Sequence, residues 1–129
     1  DPTALTLDKV RPLDLCARLG EPVIVRTRVD RHRTTEDAQR VTLHCQGPAE
    51  GATLQIEVPS RLYGALTRKF GGHRGDGIEG QAVAVAGVLQ RARTGHYRIS
   101  LETTRHIEPA EQGAELLEHF EEIAPGPGT

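Results

Sequence analysis

A change of hydrophobic period in the middle of the chain is the strongest constraint on its fold. Three segments alternate apolar and polar side chains, which is the pattern of strands with one buried and one exposed face. Their apolar positions are Val23, Val25 and Val29, then Val41, Leu43 and Cys45, then Leu54, Ile56 and Val58. Ala82–Arg91 is apolar enough to be a strand buried on both faces, and Tyr97–Thr103 alternates again. The sequence therefore predicts five strands.

Three segments have helical features instead. Leu62, Leu66 and Phe70 recur every four residues and predict a short helix near 61–70, with Ser60 as its N-cap. Asp14–Arg18, closed by Gly20, predicts a short N-terminal helix. Apolar residues at helical spacing predict a C-terminal helix near 110–123, docked on the body of the domain.

The predicted C-terminal helix is strongly acidic. Residues 108–122 carry six carboxylates and no Lys or Arg, which leaves a net charge of +4 on residues 1–107. Residues 30–40 and 47–52 are polar or rich in Gly and Pro, and they predict exposed hairpin loops between the first three strands. We therefore divide the chain into a domain over 1–109 and an acidic helix with a disordered end over 110–129.

Three strands, a helix and two strands occur in this order in the OB-fold, a five-stranded Greek-key barrel with a plug helix between strands three and four. Gly80–Leu89, Gly95–Leu101 and Ile107 resemble the G-x-x-V-x-V-x-G-x-V … G-x-x-x-I-x-L … I pattern of bacterial OB-fold modules. The resemblance is to the tRNA-anticodon-like and nucleic-acid-binding lipoprotein types, and it covers roughly residues 13–109. The resemblance implies an all-β fold with flanking helices. Its pattern contains no catalytic residue that could be assigned to this chain. Gly87 in this pattern is predicted to let the fourth strand bend.

The residues that carry chemistry form no catalytic or metal-binding pattern. None of the six histidines is spaced i,i+4 with another, and no Cys-x-x-Cys pair is present. Ser60 and Ser100 do not stand in a nucleophile elbow. We therefore expect no enzyme, no metal and no cofactor.

The cysteines and the hydropathy pattern leave more than one cellular compartment open. Cys16 and Cys45 are either two buried thiols, which the inward position of Cys45 favours, or one disulfide in an oxidising compartment. No run approaches the roughly 18 apolar residues of a membrane-spanning helix. We expect a cytoplasmic protein, or a periplasmic or secreted one if a signal peptide preceded Asp1.

The outward face of the first three strands is the candidate binding site, because OB barrels commonly bind ligands there. Its cations, with those of the adjoining loops, are Arg26, Arg28, Arg31, Arg33, His44 and Arg91. Arginine pairs with phosphates and stacks on bases, so we expect a single-stranded nucleic acid or another polyanion. The alternative is a protein-interaction domain of a cell-envelope or multi-protein assembly, which the low aromatic content of 3% favours.

Overall fold

The computed structural model describes residues 4–6, 17–46, 53–71, 78–91 and 96–109, and these ranges contain eight strands and one α-helix. The strands are β1 (Ala4–Thr6), β2 (Pro22–Thr34), β3 (Arg40–Gln46), β4 (Thr53–Pro59), β5 (Ala82–Val88), β6 (Gln90–Arg91), β7 (Tyr97–Ser100) and β8 (Ile107–Pro109). The helix α1 (Ser60–Lys69) follows β4, and a 3-10 turn (Thr104–His106) precedes β8.

The strands form one curled, barrel-like sheet. β2, β3 and β4 are an antiparallel meander, β7 adds to β4 in parallel, and β5 adds to the other side of β2. β6 continues the chain from β5 and pairs with β7 at the opposite end of the strand order, so the sheet curls toward closure. This pairing scheme, with a helix between β4 and β5, makes the fold OB-like.

The prediction of five strands was wrong in number. Each predicted strand is present, but the segment predicted over 82–91 divides at Leu89 into β5 and β6. β1 and β8 were not predicted; β1 pairs in parallel with β2, and β8 pairs with β5. Strands of two or three residues are too short to show a period, which explains why the sequence pattern missed them.

The predicted loop over residues 30–40 was wrong in its first half. β2 continues to Thr34, and the register shifts between Val29 and Arg31, which is a β-bulge. A bulge adds one residue to a strand and reverses which of the following side chains face the core. After Val29 the positions on the core side of the sheet are the half-buried His32 and, at the exposed end of the strand, Thr34, so the apolar alternation stops although the strand does not.

The core lies inside the curled sheet and is filled by aliphatic side chains. Leu43, Ile56, Leu66 and Ile99 are fully buried. The prediction that the fourth strand is buried on both faces is confirmed for Val83–Ala86, because Ala84 and Ala86 form a second buried cluster with Ile24 on the outer side.

Cys45 is a free thiol at 0% exposure, which confirms the thiol interpretation for this residue. Burial raises the pKa of the Cys45 thiol to about 12, so the thiol stays protonated and unreactive near neutral pH. Cys16 lies outside the described residues.

The predicted plug helix is confirmed as α1, but Ser60 is not its N-cap. Pro59 holds that position without a side-chain hydrogen bond, and the Ser60 hydroxyl donates to the Ala38 carbonyl at 2.8 Å. The serine thus joins the start of α1 to the turn between β2 and β3. Residues 17–20 form a turn that ends at Gly20, whose φ of 83° suits glycine. The rest of the predicted N-terminal helix, and the whole acidic helix over 110–123, lie outside the described residues.

Candidate functional site

The outward side chains of four adjacent strands form a polar surface, which we call the four-strand face. The register aligns these side chains in two rows across β2, β3, β4 and β7. The first row is Arg31, His44, Gln55 and Arg98, and the second is Arg33, Thr42, Glu57 and Ser100. The bulge after Val29 places Arg31 and Arg33 in these rows, on the side opposite the core.

His44 is the electrostatic centre of this face. Partial burial lowers the pKa of the His44 imidazole, and the nearby positive charges of Arg31 and Arg33, and His96, lower it further. His44 is therefore a neutral hydrogen-bonding group near neutral pH, beside the two permanent cations Arg31 and Arg33.

Glu57 is the acidic residue within the two rows. Its Oε2 lies 3.3 Å from Nε of Arg98, and Nη2 of Arg98 donates to Oε1 of Gln90 at 3.3 Å. This pair offsets the negative charge of Glu57. Among the residues that the structure describes, Arg31 and Arg33 are therefore the cations of this face without an acidic partner.

The structure brings together three of the six predicted site residues, namely Arg31, Arg33 and His44. Arg28 is exposed and precedes the bulge in β2, and its guanidinium donates to the Gly80 carbonyl. Arg26 is half-buried, in a row with Ala84 and Glu108 across β2, β5 and β8. Arg91 lies at the far edge of the sheet, with its guanidinium carbon 5.7 Å from the centre of the Tyr97 ring. These three arginines therefore flank the four-strand face rather than belong to it.

Arg98 and His96 were not among the predicted site residues, and His32, which falls in the loop predicted over residues 30–40, lies in β2. The signal for Arg98 was present, because it lies between the inward residues Tyr97 and Ile99. No local pattern brings His96 near His44, since His44 lies in β3 and His96 directly precedes β7, far away in sequence.

His32 does not join the four-strand face, because the bulge turns it toward the core side. Its Nδ1 and its backbone N–H both lie 2.9 Å from Oε2 of Glu79, and its ring stacks on Tyr63 at 5.4 Å. These hydrogen bonds lower the pKa of the Glu79 carboxyl. The pair joins β2 to the segment before β5, so its role is structural.

A shallow pocket of about 260 Å³ adjoins the face, lined by Arg33, Thr34, Thr35, Glu36 and Thr42. Within the described ranges, no three His, Cys, Asp or Glu side chains are grouped as metal ligands. The helix of the described part is also too short and too polar to cross a membrane.

Comparison with known proteins adds a likeness in structure and none in sequence. No family model and no curated protein sequence matches the chain. A putative aspartyl-tRNA synthetase from Leishmania major Friedlin superimposes with a TM-score of 0.51 at 10% identity, over 84% of this chain and 21% of that one. The likeness is one of fold.

Two further structures match less well. The Stn1-Ten1 complex of S. pombe gives a TM-score of 0.47 at 11% identity, over 79% of this chain and 67% of that one. An aspartyl-tRNA synthetase from Entamoeba histolytica gives 0.46 at 15% identity, over 78% of this chain and 20% of that one. The chain thus spans about a fifth of the length of each synthetase.

The lowered pKa of His44 predicts a pH dependence of stability that His44→Gln removes. In the unfolded chain the imidazole titrates near its ordinary value of 6.5, whereas the folded protein binds the proton only at lower pH. Between these two values the unfolded state binds more protons, so stability falls as the pH falls. We expect the free energy of unfolding of the wild type, relative to His44→Gln, to decrease from about pH 8 to pH 5. A difference that stays constant or increases toward low pH contradicts the assignment.

Proposed function

We propose that this chain is a non-catalytic OB-fold binding module that holds a single-stranded nucleic acid or another polyanion on the four-strand face. The observation that carries this proposal is the placement of Arg31 and Arg33, both exposed, on one face beside His44. Within the described part, neither guanidinium is engaged in an ion pair or a hydrogen bond. Both are free to pair with phosphate oxygens in the bidentate geometry that arginine favours.

The neighbouring side chains support the same ligand class. His44, Gln55 and Thr42 offer neutral hydrogen-bonding groups between the cations, and such groups bind phosphate and sugar oxygens in nucleic-acid complexes. The exposed Arg28 and Arg91 extend the positive field on either side, and the half-buried Arg26 contributes to that field through its charge. The structural neighbours supply the fold to this argument and no functional residue.

Neutralising Glu57 tests the position of the ligand by a gain of affinity. We expect Glu57→Gln to bind a fluorescent oligo-dT roughly three- to tenfold more tightly than the wild type, because it removes a negative charge from the four-strand face and frees Arg98. The measurement is fluorescence anisotropy between about 50 and 200 mM salt, where the affinity should fall steeply as counterions are released.

The matched control is Glu21→Gln, which removes one negative charge from an exposed residue outside the four-strand face. It should raise affinity by less than about twofold, because the field of an exposed charge outside the face is screened by salt. An equal gain of affinity in both variants shows that the ligand responds only to the net charge of the protein. Affinity that does not respond to salt favours a protein partner instead.

A further inference from the structure

Most aromatic side chains of this protein pack in its core or against it. The chain has four, Tyr63, Phe70, Tyr97 and Phe120. Tyr63 and Phe70 are half-buried and pack against the core from α1 and the residue after it. Tyr97 is 4% exposed and lies under Arg91. Phe120 lies outside the described residues. Three of the four aromatic rings are therefore packed into the core or partly against it.

The two rows of the four-strand face contain no Phe, Tyr or Trp. Their side chains end in guanidinium, imidazole, amide, hydroxyl and carboxylate groups. Single-strand binders that hold bases do so mainly on exposed aromatic rings, each of which changes affinity by about fivefold or more per base. The two rows have no Phe, Tyr or Trp ring on which a base could stack and so gain this affinity.

The first row is the more favourable path for a phosphate chain. Arg31, His44, Gln55 and Arg98 carry no negative charge, whereas the second row contains Glu57. Neighbouring strands lie about 4.8 Å apart, so Arg31 and Arg98 stand at the ends of a row roughly 14 Å long. A backbone that crosses the strands along this row meets Arg31, unpaired among the described residues, at one end. It meets neutral donors in the middle and, at the other end, Arg98, whose charge is shared with Glu57.

We infer that the arginines of the four-strand face pair with the phosphates of a single strand rather than stack on its bases, so that the face recognises the sugar-phosphate backbone. This inference rests on the proposed function and names the part of the ligand that is bound. Affinity then depends on phosphate number and salt, and is nearly independent of the identity or presence of the bases.

The test compares three oligonucleotides of equal length and phosphate number: oligo-dT, oligo-dA and a strand made entirely of abasic sites. Binding is measured by anisotropy at about 50 mM salt, where phosphate contacts are strongest. We expect the abasic strand to bind within about twofold of oligo-dT, or more tightly. Tighter binding of either base-bearing strand by tenfold or more overturns the inference while leaving the proposed function intact. Binding of none of the three overturns both.

A second variant examines His44, the one ring in the two rows. His44→Gln keeps a hydrogen-bonding side chain and removes the ring. We expect it to change the affinities for oligo-dT and for the abasic strand by the same factor. A loss confined to oligo-dT shows that a base stacks on His44, which contradicts the inference.

Discussion

Gly87→Ala is expected to destabilise the fold by roughly 1–3 kcal/mol, the usual cost of extra volume in a packed core. Gly87 lies in β5 opposite Val23, on the core side of the sheet. A Cβ at this position would overlap the Cγ2 methyl of Ile99 in β7. Ile99 is fully buried and β-branched, so its methyl has no alternative rotamer into which it can turn freely. Thermal unfolding should show a midpoint lower by several degrees.

Two further variants assign this loss to the contact between Gly87 and Ile99. Gly64→Ala is the control, because a Cβ at Gly64 meets nothing within 4 Å and alanine favours the helix. It should leave stability unchanged or raise it by up to about 1 kcal/mol. Ile99→Leu removes the branched methyl, so it should restore part of the stability lost in Gly87→Ala. If Gly87→Ala unfolds at the wild-type temperature, the close approach of β5 and β7 is not as the structure shows it.

Arg31→Gln combined with Arg33→Gln should weaken oligo-dT binding by roughly tenfold to a hundredfold at about 50 mM salt. Each arginine that no longer meets a phosphate makes the negative slope of log affinity against log salt shallower by about 0.7 for a single strand. Both side chains are exposed, so the melting temperature should change little. Anisotropy titrations at several salt concentrations measure the affinity and the slope together.

The matched control for this pair is Arg61→Gln combined with Arg68→Gln. It removes the same charge from two exposed residues of α1, outside the four-strand face. Binding should fall by less than about threefold, because exposed charges that do not contact the ligand are screened by salt. Equal losses in both double variants indicate attraction to net charge without a defined site. Full binding by the Arg31 and Arg33 variant places the ligand elsewhere and favours the interpretation as a protein-interaction domain.

The strands with one apolar face could be predicted because alternation is a local property. In β4, Leu54, Ile56 and Val58 are all fully buried, as their spacing predicts. The prediction ended too early in β2 because residues after the bulge place polar side chains inward. His32 is tolerated there because Glu79 and Tyr63, both distant in sequence, bind and cover it.

Gly87 likewise has a role that the sequence pattern predicts in part and that packing against another strand explains in full. The sequence predicts a structural glycine and explains it by a bend in the strand. The structure shows a reason that involves another strand, namely the methyl of Ile99. No pattern within residues 82–91 contains that information.

The candidate site depends both on the local sequence pattern and on the tertiary structure. By itself the sequence determined that His44, Thr42, Gln55 and Glu57 share an outward face, because successive side chains of a strand point to opposite sides. Only the tertiary structure decided that Arg31 and Arg33 join this face and that His32 leaves it, through a one-residue bulge in β2. It also decided that Arg98 and His96 approach from β7 and the residue before it, and that Arg26 and Arg91 stand apart. The physical reason is that local side-chain periodicity follows from backbone geometry, whereas strand pairing and register follow from which distant surfaces pack best together.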